Sequence, residues 1–567
     1  MWQITIVLLI YLPLVLIAGR YLYKVTMKEK MWGDGFFNRV ESIIYKLSAI
    51  KQEEMTGKQY IFSLLFSNAV MIAIGYFILR IQSSLFLNPN DIGNMETTLS
   101  FNTIISFMTN TNLQHYSGES GLSYLSQMLV IIFMMFTSAA SGYAVCMAFC
   151  RRLIAKTDVL GNFYVDFVRV ITRILLPLSF VVSLFLVSQG VPQTFKENIT
   201  LTTIEHKQQD IAFGPIAAME SIKHLGTNGG GFNGANSSTP FENPTVLSNI
   251  VEILSMMLLP GACVVALGLM ITYRKNRNHK ALIGKQGTSI FIAMSVIFLI
   301  GIAVVYASES AGNPEIHAIG IDDSTGNMEG KETRFGIAQS SLFTAATTAF
   351  TTGTVNNMHD TLTPLGGLVP LFNMMLNVVF GGKGVGLMNM MMYVLLTIFI
   401  ACLMIGRTPQ FLGKKIEAKE MKLIALCILI HPTIILGFSA LAVTTAGGVA
   451  GITNPGAHGL SQVLYEFASS SANNGSGFEG LADNSTFWNV TTGLAMFFGR
   501  YTSIVLQIAI ASLLAKKLVH NESIGTLNTT NATFTVFLVA IVLVVGALTF
   551  LPSIALGPIT EFLQLNS

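Results

Sequence analysis

The chain has 567 residues, of which 51% are hydrophobic and 11% charged, with a mean hydropathy of +0.59 and a net charge of +3. Soluble proteins carry about 25% charged residues, so the composition excludes a soluble globular enzyme and implies a polytopic membrane protein; the small net charge gives no sign of a nucleic-acid partner. The five cysteines, Cys146, Cys150, Cys263, Cys402 and Cys427, all lie in apolar runs without metal-ligand spacing and read as small buried hydrophobes.

About 20 apolar residues are needed to cross a bilayer, and ten spans qualify: 2–22, 60–81, 123–149, 164–187, 247–272, 288–307, 365–404, 421–446, 488–515 and 532–552. The expected fold is therefore all-α, with ten transmembrane helices. The first basic residue, Arg20, follows the first apolar run, so this run reads as a retained helix and not a signal peptide. Basic residues gather on one set of connections. They include Lys24, Lys28, Lys30, Arg151, Arg152, Lys156, Arg274, Lys275, Arg277, Lys280, Lys285, Arg407, Lys414, Lys415, Lys516 and Lys517. The opposite loops hold only Lys196, Lys207, Lys223, Lys331 and Arg334. The positive-inside rule then sets both termini outside.

Between the paired spans a Thr/Asn/Gly element recurs four times: Phe107-Met-Thr-Asn-Thr-Asn-Leu-Gln114, Leu225-Gly-Thr-Asn-Gly-Gly-Gly-Phe-Asn233, Phe350-Thr-Thr-Gly-Thr-Val-Asn-Asn-Met-His-Asp360 and Ser470-Ser-Ala-Asn-Asn-Gly-Ser-Gly-Phe478. With Thr111, Gly229, Gly353 and Gly475 taken as equivalent, successive copies lie 118, 124 and 122 residues apart. So regular a period argues for four copies of one unit. Each copy follows an amphipathic stretch too short to span, such as 216–224 or 340–349, which should dip into the membrane and turn back. Carbonyl, Thr and Asn oxygens can replace the hydration shell of a monovalent cation. The unit thus predicts four membrane-pore-membrane repeats, at 60–150, 151–272, 288–404 and 421–517. These are flanked by 1–59 and by a last helix and tail at 530–567.

The seventh span is about twice the length that a crossing needs and is broken by Phe380-Gly-Gly-Lys-Gly-Val-Gly386. The break reads as a simple kink, as a tight turn between two helices, or as an intramembrane loop under the third element, where Lys383 would repel a cation. Arg500 lies near the middle of the ninth span, and an ionisable residue at that depth is a functional candidate by default. Glu220, Glu252 and Glu466 read as anchors for the backbone of the elements. No phosphate-binding loop, Asp-Lys-Thr-Gly phosphorylation site or His-Glu-x-x-His helix is present. The cytoplasmic connections are too short for a nucleotide-binding domain, so ATP hydrolysis would need a separate polypeptide.

Thr-Asn-Thr-Asn at 109–112, Gly-Thr-Asn-Gly-Gly-Gly-Phe at 226–232, Thr-Gly-Thr-Val-Asn-Asn-Met-His-Asp at 352–360, Ala-Asn-Asn-Gly-Ser at 472–476 and Tyr116-Ser-Gly-Glu119 closely resemble the potassium-binding A subunits (KdpA) of bacterial Kdp-type potassium-transporting ATPases. The ten-span layout extends the resemblance over essentially the whole chain. The resemblance implies a potassium-channel-like fold in the bacterial plasma membrane. It implies three partners too: a P-type ATPase (KdpB) that uses the ATP, an outer-surface protein (KdpC) and a small single-helix protein (KdpF). Potassium would be the transported ligand, taken from outside and passed through an intramembrane tunnel to the P-type ATPase. The implied filter positions are Asn110, Thr111 and Asn112; Thr227, Asn228 and Gly229; Thr352, Gly353 and Thr354; and Asn473, Asn474 and Gly475. The implied gating loop contains Gly381, Gly382, Lys383, Gly384 and Gly386, with Arg500 as a further gating candidate. Lys383 and Val385 depart from the Gly-Gly-Val-Gly-Ser-Gly that the family often carries there. A stand-alone channel or symporter of the same superfamily is the alternative. A membrane enzyme would need clustered carboxylates or histidines at one depth, whereas here they are scattered.

Overall fold

The structure, a computed structural model, describes residues 1–154, 161–275, 281–321, 324–520 and 526–567. Lys156, Arg277 and Lys280, which enter the orientation argument, lie outside the described residues. Ten helices among those described are long and apolar enough to cross a membrane. In chain order with the shorter helices between them, they are α1 (Trp2–Met27), α2 (Gly57–Ile81), α3 (Thr97–Met108), α4 (Tyr124–Ile154), α5 (Phe163–Ser188), α6 (Ile216–Leu225), α7 (Val246–Lys275), α8 (Lys285–Ser310), α9 (Gly336–Ala349), α10 (Pro364–Leu376), α11 (Val385–Met404), α12 (Ala418–Thr444), α13 (Gly456–Ala472), α14 (Thr486–Ala515) and α15 (Ala532–Ile554). The boundaries match the sequence expectation to within a few residues, with one difference. The 365–404 span is two helices, α10 and α11, because Asn377 turns left-handed (φ 48°) and ends α10.

Burial sorts the spans into two layers. In the pairs α2/α4, α5/α7, α8/α11 and α12/α14 the second member is the inner one. The most apolar stretches of α4, α7, α11 and α14 are 83, 89, 67 and 61% buried, against 22, 39, 44 and 28% for their partners. The outer helices face lipid with residues such as Phe62, Phe66, Phe180 and Leu184, which costs nothing in a hydrocarbon solvent. Small residues set the closest approaches, as membrane helices require. A methyl built on Gly287 of α8 would lie 2.7 Å from Gly268 Cα of α7, so these two backbones pack directly. The N-terminal helix α1 packs on α7.

On the basic side an amphipathic surface helix, Asp34–Leu47, is clamped by Arg173 of α5. The guanidinium donates to Asp34 (2.6 Å), Asn38 (2.6 Å) and Glu41. On the opposite side a short antiparallel hairpin, β1 (Ile199–Thr202) with β2 (Gln208–Ile211), stands on the loop before α6.

Candidate functional site

The helices α3, α6, α9 and α13 are 12, 10, 14 and 17 residues long, and all four lie in the interior formed by the inner spans. Their C-terminal ends share one construction. The next residue or the one after turns left-handed: Asn110 (φ 62°), Thr227 (φ 50°), Thr351 (φ 49°) and Asn473 (φ 56°). Each of these donates its backbone N–H three residues back, to Phe107, His224, Thr348 and Ser470. Each following residue, Thr111, Asn228, Thr352 and Asn474, donates five residues back, to Ser106, Lys223, Thr347 and Ser469. This double bond is the Schellman ending, which satisfies otherwise orphaned carbonyls and turns the chain sharply out of the helix. A left-handed conformation is tolerable for Asn but strained for β-branched Thr, and such strain persists only where surrounding structure enforces it.

The shared geometry corrects the register of the copies. Asn112, and not Thr111, is the counterpart of Gly229, Gly353 and Gly475. In the third copy the matching triplet is Thr351, Thr352 and Gly353. Thr354 lies one position beyond, where its hydroxyl meets Ser237 Oγ at 2.9 Å. Composition misplaces the first copy because Asn112 stands where the other three copies have glycine.

The four segments meet. A methyl on Gly229 would lie 2.6 Å from the Thr111 carbonyl oxygen, 2.9 Å from Gly475 Cα and 3.1 Å from the Asn474 carbonyl oxygen. One on Gly353 would lie 2.6 Å from the Asn474 carbonyl carbon and 2.8 Å from Gly475 Cα. Hydrogen bonds link the first segment to the second and the fourth to the first and third. Asn110 Nδ2 donates to the Thr227 carbonyl (2.9 Å), Asn228 Nδ2 to Asn110 Oδ1 (2.9 Å), Asn473 Nδ2 to Thr111 Oγ1 (3.0 Å) and Asn474 Nδ2 to the Thr347 carbonyl (3.0 Å). Every one of the twelve residues expected here is buried. The result is a knot of neutral oxygens, carbonyls and amides, at the C-terminal and therefore electronegative ends of four helices. Such a site suits a monovalent cation stripped of water.

Residues outside the elements support this knot. Ser138 Oγ, from the Thr137-Ser-Ala-Ala-Ser-Gly142 run of α4, donates to Asn110 Oδ1 at 2.8 Å; polar and small residues inside an apolar span are the available signal. Among the described residues, the three glutamates expected to anchor backbone face side chains instead. Glu220 is bonded by Ser237 Oγ (2.8 Å) and pairs with Lys223 (2.7 Å), Glu466 faces the His115 ring (3.3 Å), and Glu252 faces His224 (3.5 Å). Glu242, which carries no sequence signal of its own, accepts the Asn233 N–H at 3.0 Å.

The break at 377–384 lies against the inner side of the knot. Phe380 stacks on Phe350 with ring centroids 4.6 Å apart. The Gly381 N–H donates to the Ala349 carbonyl (2.9 Å), the Lys383 N–H donates to Thr227 Oγ1 (2.9 Å), and the Lys383 ammonium donates to the Asn473 carbonyl. The break is a loop between α10 and α11 that packs against the elements. Arg500 is buried and donates to the Ser138 carbonyl at 3.4 Å, so it does not reach for a membrane surface.

These features define a class: an all-α polytopic membrane protein of channel-like fold, with a cluster of neutral oxygens from four helix ends at its centre. A family profile described as "Potassium-transporting ATPase A subunit" matches residues 4–563. The chain is 57% identical to the potassium-transporting ATPase potassium-binding subunit of Clostridium acetobutylicum over 99% of both chains. It is 55% identical to that of Staphylococcus haemolyticus over the full length of both. Among solved structures it resembles the potassium transporter TrkH from Vibrio parahaemolyticus, with a TM-score of 0.54 at 14% identity, covering 90% of this chain and 98% of that one; this likeness shows the fold alone. The chain belongs to the family of potassium-transporting ATPase A subunits.

Proposed function

We propose that this chain binds external potassium in a filter made by the four helix-end segments and hands it to an ATP-hydrolysing partner. The observation that carries this reading is the fourfold recurrence of one helix ending whose members touch at Thr111, Gly229, Gly353 and Gly475. The chain then comprises four pseudo-symmetric membrane-pore-membrane repeats at 60–150, 151–272, 288–404 and 421–517. As an A subunit it handles the ion and does not hydrolyse ATP. The filter residues are Asn110, Thr111 and Asn112; Thr227, Asn228 and Gly229; Thr351, Thr352 and Gly353; and Asn473, Asn474 and Gly475.

The distribution of lysine and arginine supports a filter open to the outside, with both termini on that face. The loop at Gly381–Gly386, pinned beneath the filter, supports a blocked direct path to the cytoplasm. An ion would then leave sideways, through a tunnel to the P-type ATPase KdpB, in an assembly completed by KdpC and the single-helix KdpF. Purification from native membranes, followed by ATPase assay, tests this. The expected result is co-purification of a P-type ATPase whose turnover potassium stimulates. A chain that purifies alone and conducts potassium in liposomes without ATP would instead be a channel or symporter.

A further inference from the structure

Lys383 and Arg500 are two cations buried side by side with no carboxylate partner among the described residues. Lys383 is 1% exposed and Arg500 3%. Both close on Gly142 of α4, where an added methyl would lie 2.7 Å from Arg500 Nη2 and 2.7 Å from Lys383 Cβ. An ammonium taken out of water is costly unless other groups replace its hydration. Here the replacement is made of carbonyl dipoles. The Lys383 ammonium donates to the carbonyl of Asn473, the residue that ends α13. The same loop is tied to the end of α6 through Thr227 and to the end of α9 through Ala349. The ammonium therefore sits where the electronegative ends of the short helices converge. Ammonium and potassium are monovalent cations of similar size, and the chemistry that holds one against a carbonyl holds the other.

We propose that the Lys383 ammonium is a tethered cation at the inner end of the filter, filling the place against the Asn473 carbonyl that a potassium ion would otherwise occupy. The proposal rests on the filter reading and deepens it. Lys383 is then not merely a distant repulsive charge, since it competes with the transported ion for one oxygen. It shortens the queue of ions by about one position and closes the inner exit without any movement of the backbone. Holding the side chain there requires Lys383 itself to adopt a left-handed backbone (φ 59°), and the Thr227 hydroxyl secures it by accepting the Lys383 N–H.

The test uses the whole assembly purified from membranes, with rubidium or thallium as the probe. Ion density at the filter is mapped by cryo-electron microscopy, and bound rubidium is counted by equilibrium binding. In the unmodified protein the Asn473 carbonyl should carry no alkali-ion density even at saturating thallium. In Lys383→Met, which keeps length and removes charge, density should appear beside that carbonyl and rubidium stoichiometry should rise by about one. An ion beside Asn473 in the unmodified protein overturns the proposal, whether or not the variant assembles. Lys383→Met that assembles with unchanged stoichiometry overturns it as well. Absence of any ion along 110–112, 227–229, 351–353 and 473–475 in the unmodified protein would instead defeat the filter reading itself.

Discussion

Replacing Gly353 by alanine separates the two physical demands placed on the filter backbone. Gly353 has φ +83°, and its new methyl would press on Asn474 and on Gly475 Cα, 2.8 Å away. Those are backbone atoms, so no flexible side chain can swing aside. Gly229 meets a similar obstacle, at 2.6 Å from the Thr111 carbonyl oxygen, but its φ is not in the left-handed region. Overpacking of this kind costs about 1–3 kcal/mol, and a left-handed L-residue adds roughly 1–2 kcal/mol. If the strain is expressed in ion binding, Gly229→Ala raises the half-saturating potassium concentration about 5- to 150-fold, at ~1.4 kcal/mol per decade. Gly353→Ala should raise it by roughly a further tenfold on the same scale. The assay is potassium-stimulated ATPase activity of the intact assembly, with thallium binding as an independent readout. Both variants assembling normally with an unaltered potassium requirement would refute the assignment of these backbones to the ion site.

Arg173→Met should destabilise without touching ion affinity, because it removes a buried partner of Glu41 and Asp34; Arg169 still pairs with Glu41, so the cost should fall below the roughly 3–5 kcal/mol of leaving a buried charge unpaired. A lowered thermal midpoint in detergent with an unchanged half-saturating potassium concentration is the expected pair of results. His458, at the outer start of α13, contributes a pH dependence. Burial pulls its pKa down, but its hydrogen bonds to Asp360 and Glu561 outweigh this and hold it up at about 10, against an ordinary value of 6.5. A raised pKa means stabilisation that is complete below the unfolded value and lost as pH climbs through the folded one. The thermal midpoint should therefore fall across the window from 6.5 to about 10, and fall less in His458→Leu. Parallel pH profiles for the two proteins would exclude the ion pair as a source of stability.

The spans were legible because each is a run of apolar residues longer than a bilayer needs, and hydropathy reads such runs directly. Their layering was not, since α4 and α2 are similarly apolar and only packing makes one inner and the other outer. The four elements stood out through Thr, Asn and Gly at one period. Their internal register did not, because the first copy has Asn112 where the other three have glycine, and the helix-ending turn falls on Asn110, Thr227, Thr351 and Asn473. The role of Ser138 was hidden for another reason: its bond to Asn110 depends on how α4 rotates against α3, which no local pattern encodes. Glu242 carried no signal because its partner, the Asn233 N–H, is a backbone group and leaves no trace in composition.

The distribution of charge around the knot has a directional consequence. The four segments supply neutral oxygens, and their helix ends point negative potential into the same space. On the inner side stand Lys383 and Arg500, without a carboxylate within ion-pair distance among the described residues. Two like charges 4 Å apart at an effective dielectric near 20 repel by about 4 kcal/mol. A potassium ion pressed against both cations would face several kcal/mol of repulsion, comparable to what a strong filter site could return. In the proposed filter, straight passage would thus be opposed by charge as well as by the backbone of the loop. Under the proposed function, an ion held in the filter would proceed only by turning aside above Lys383, or once the lysine gave up the Asn473 carbonyl. A continuous open channel tolerates neither arrangement, whereas a protein that delivers ions one at a time to a pump needs its inner exit closed.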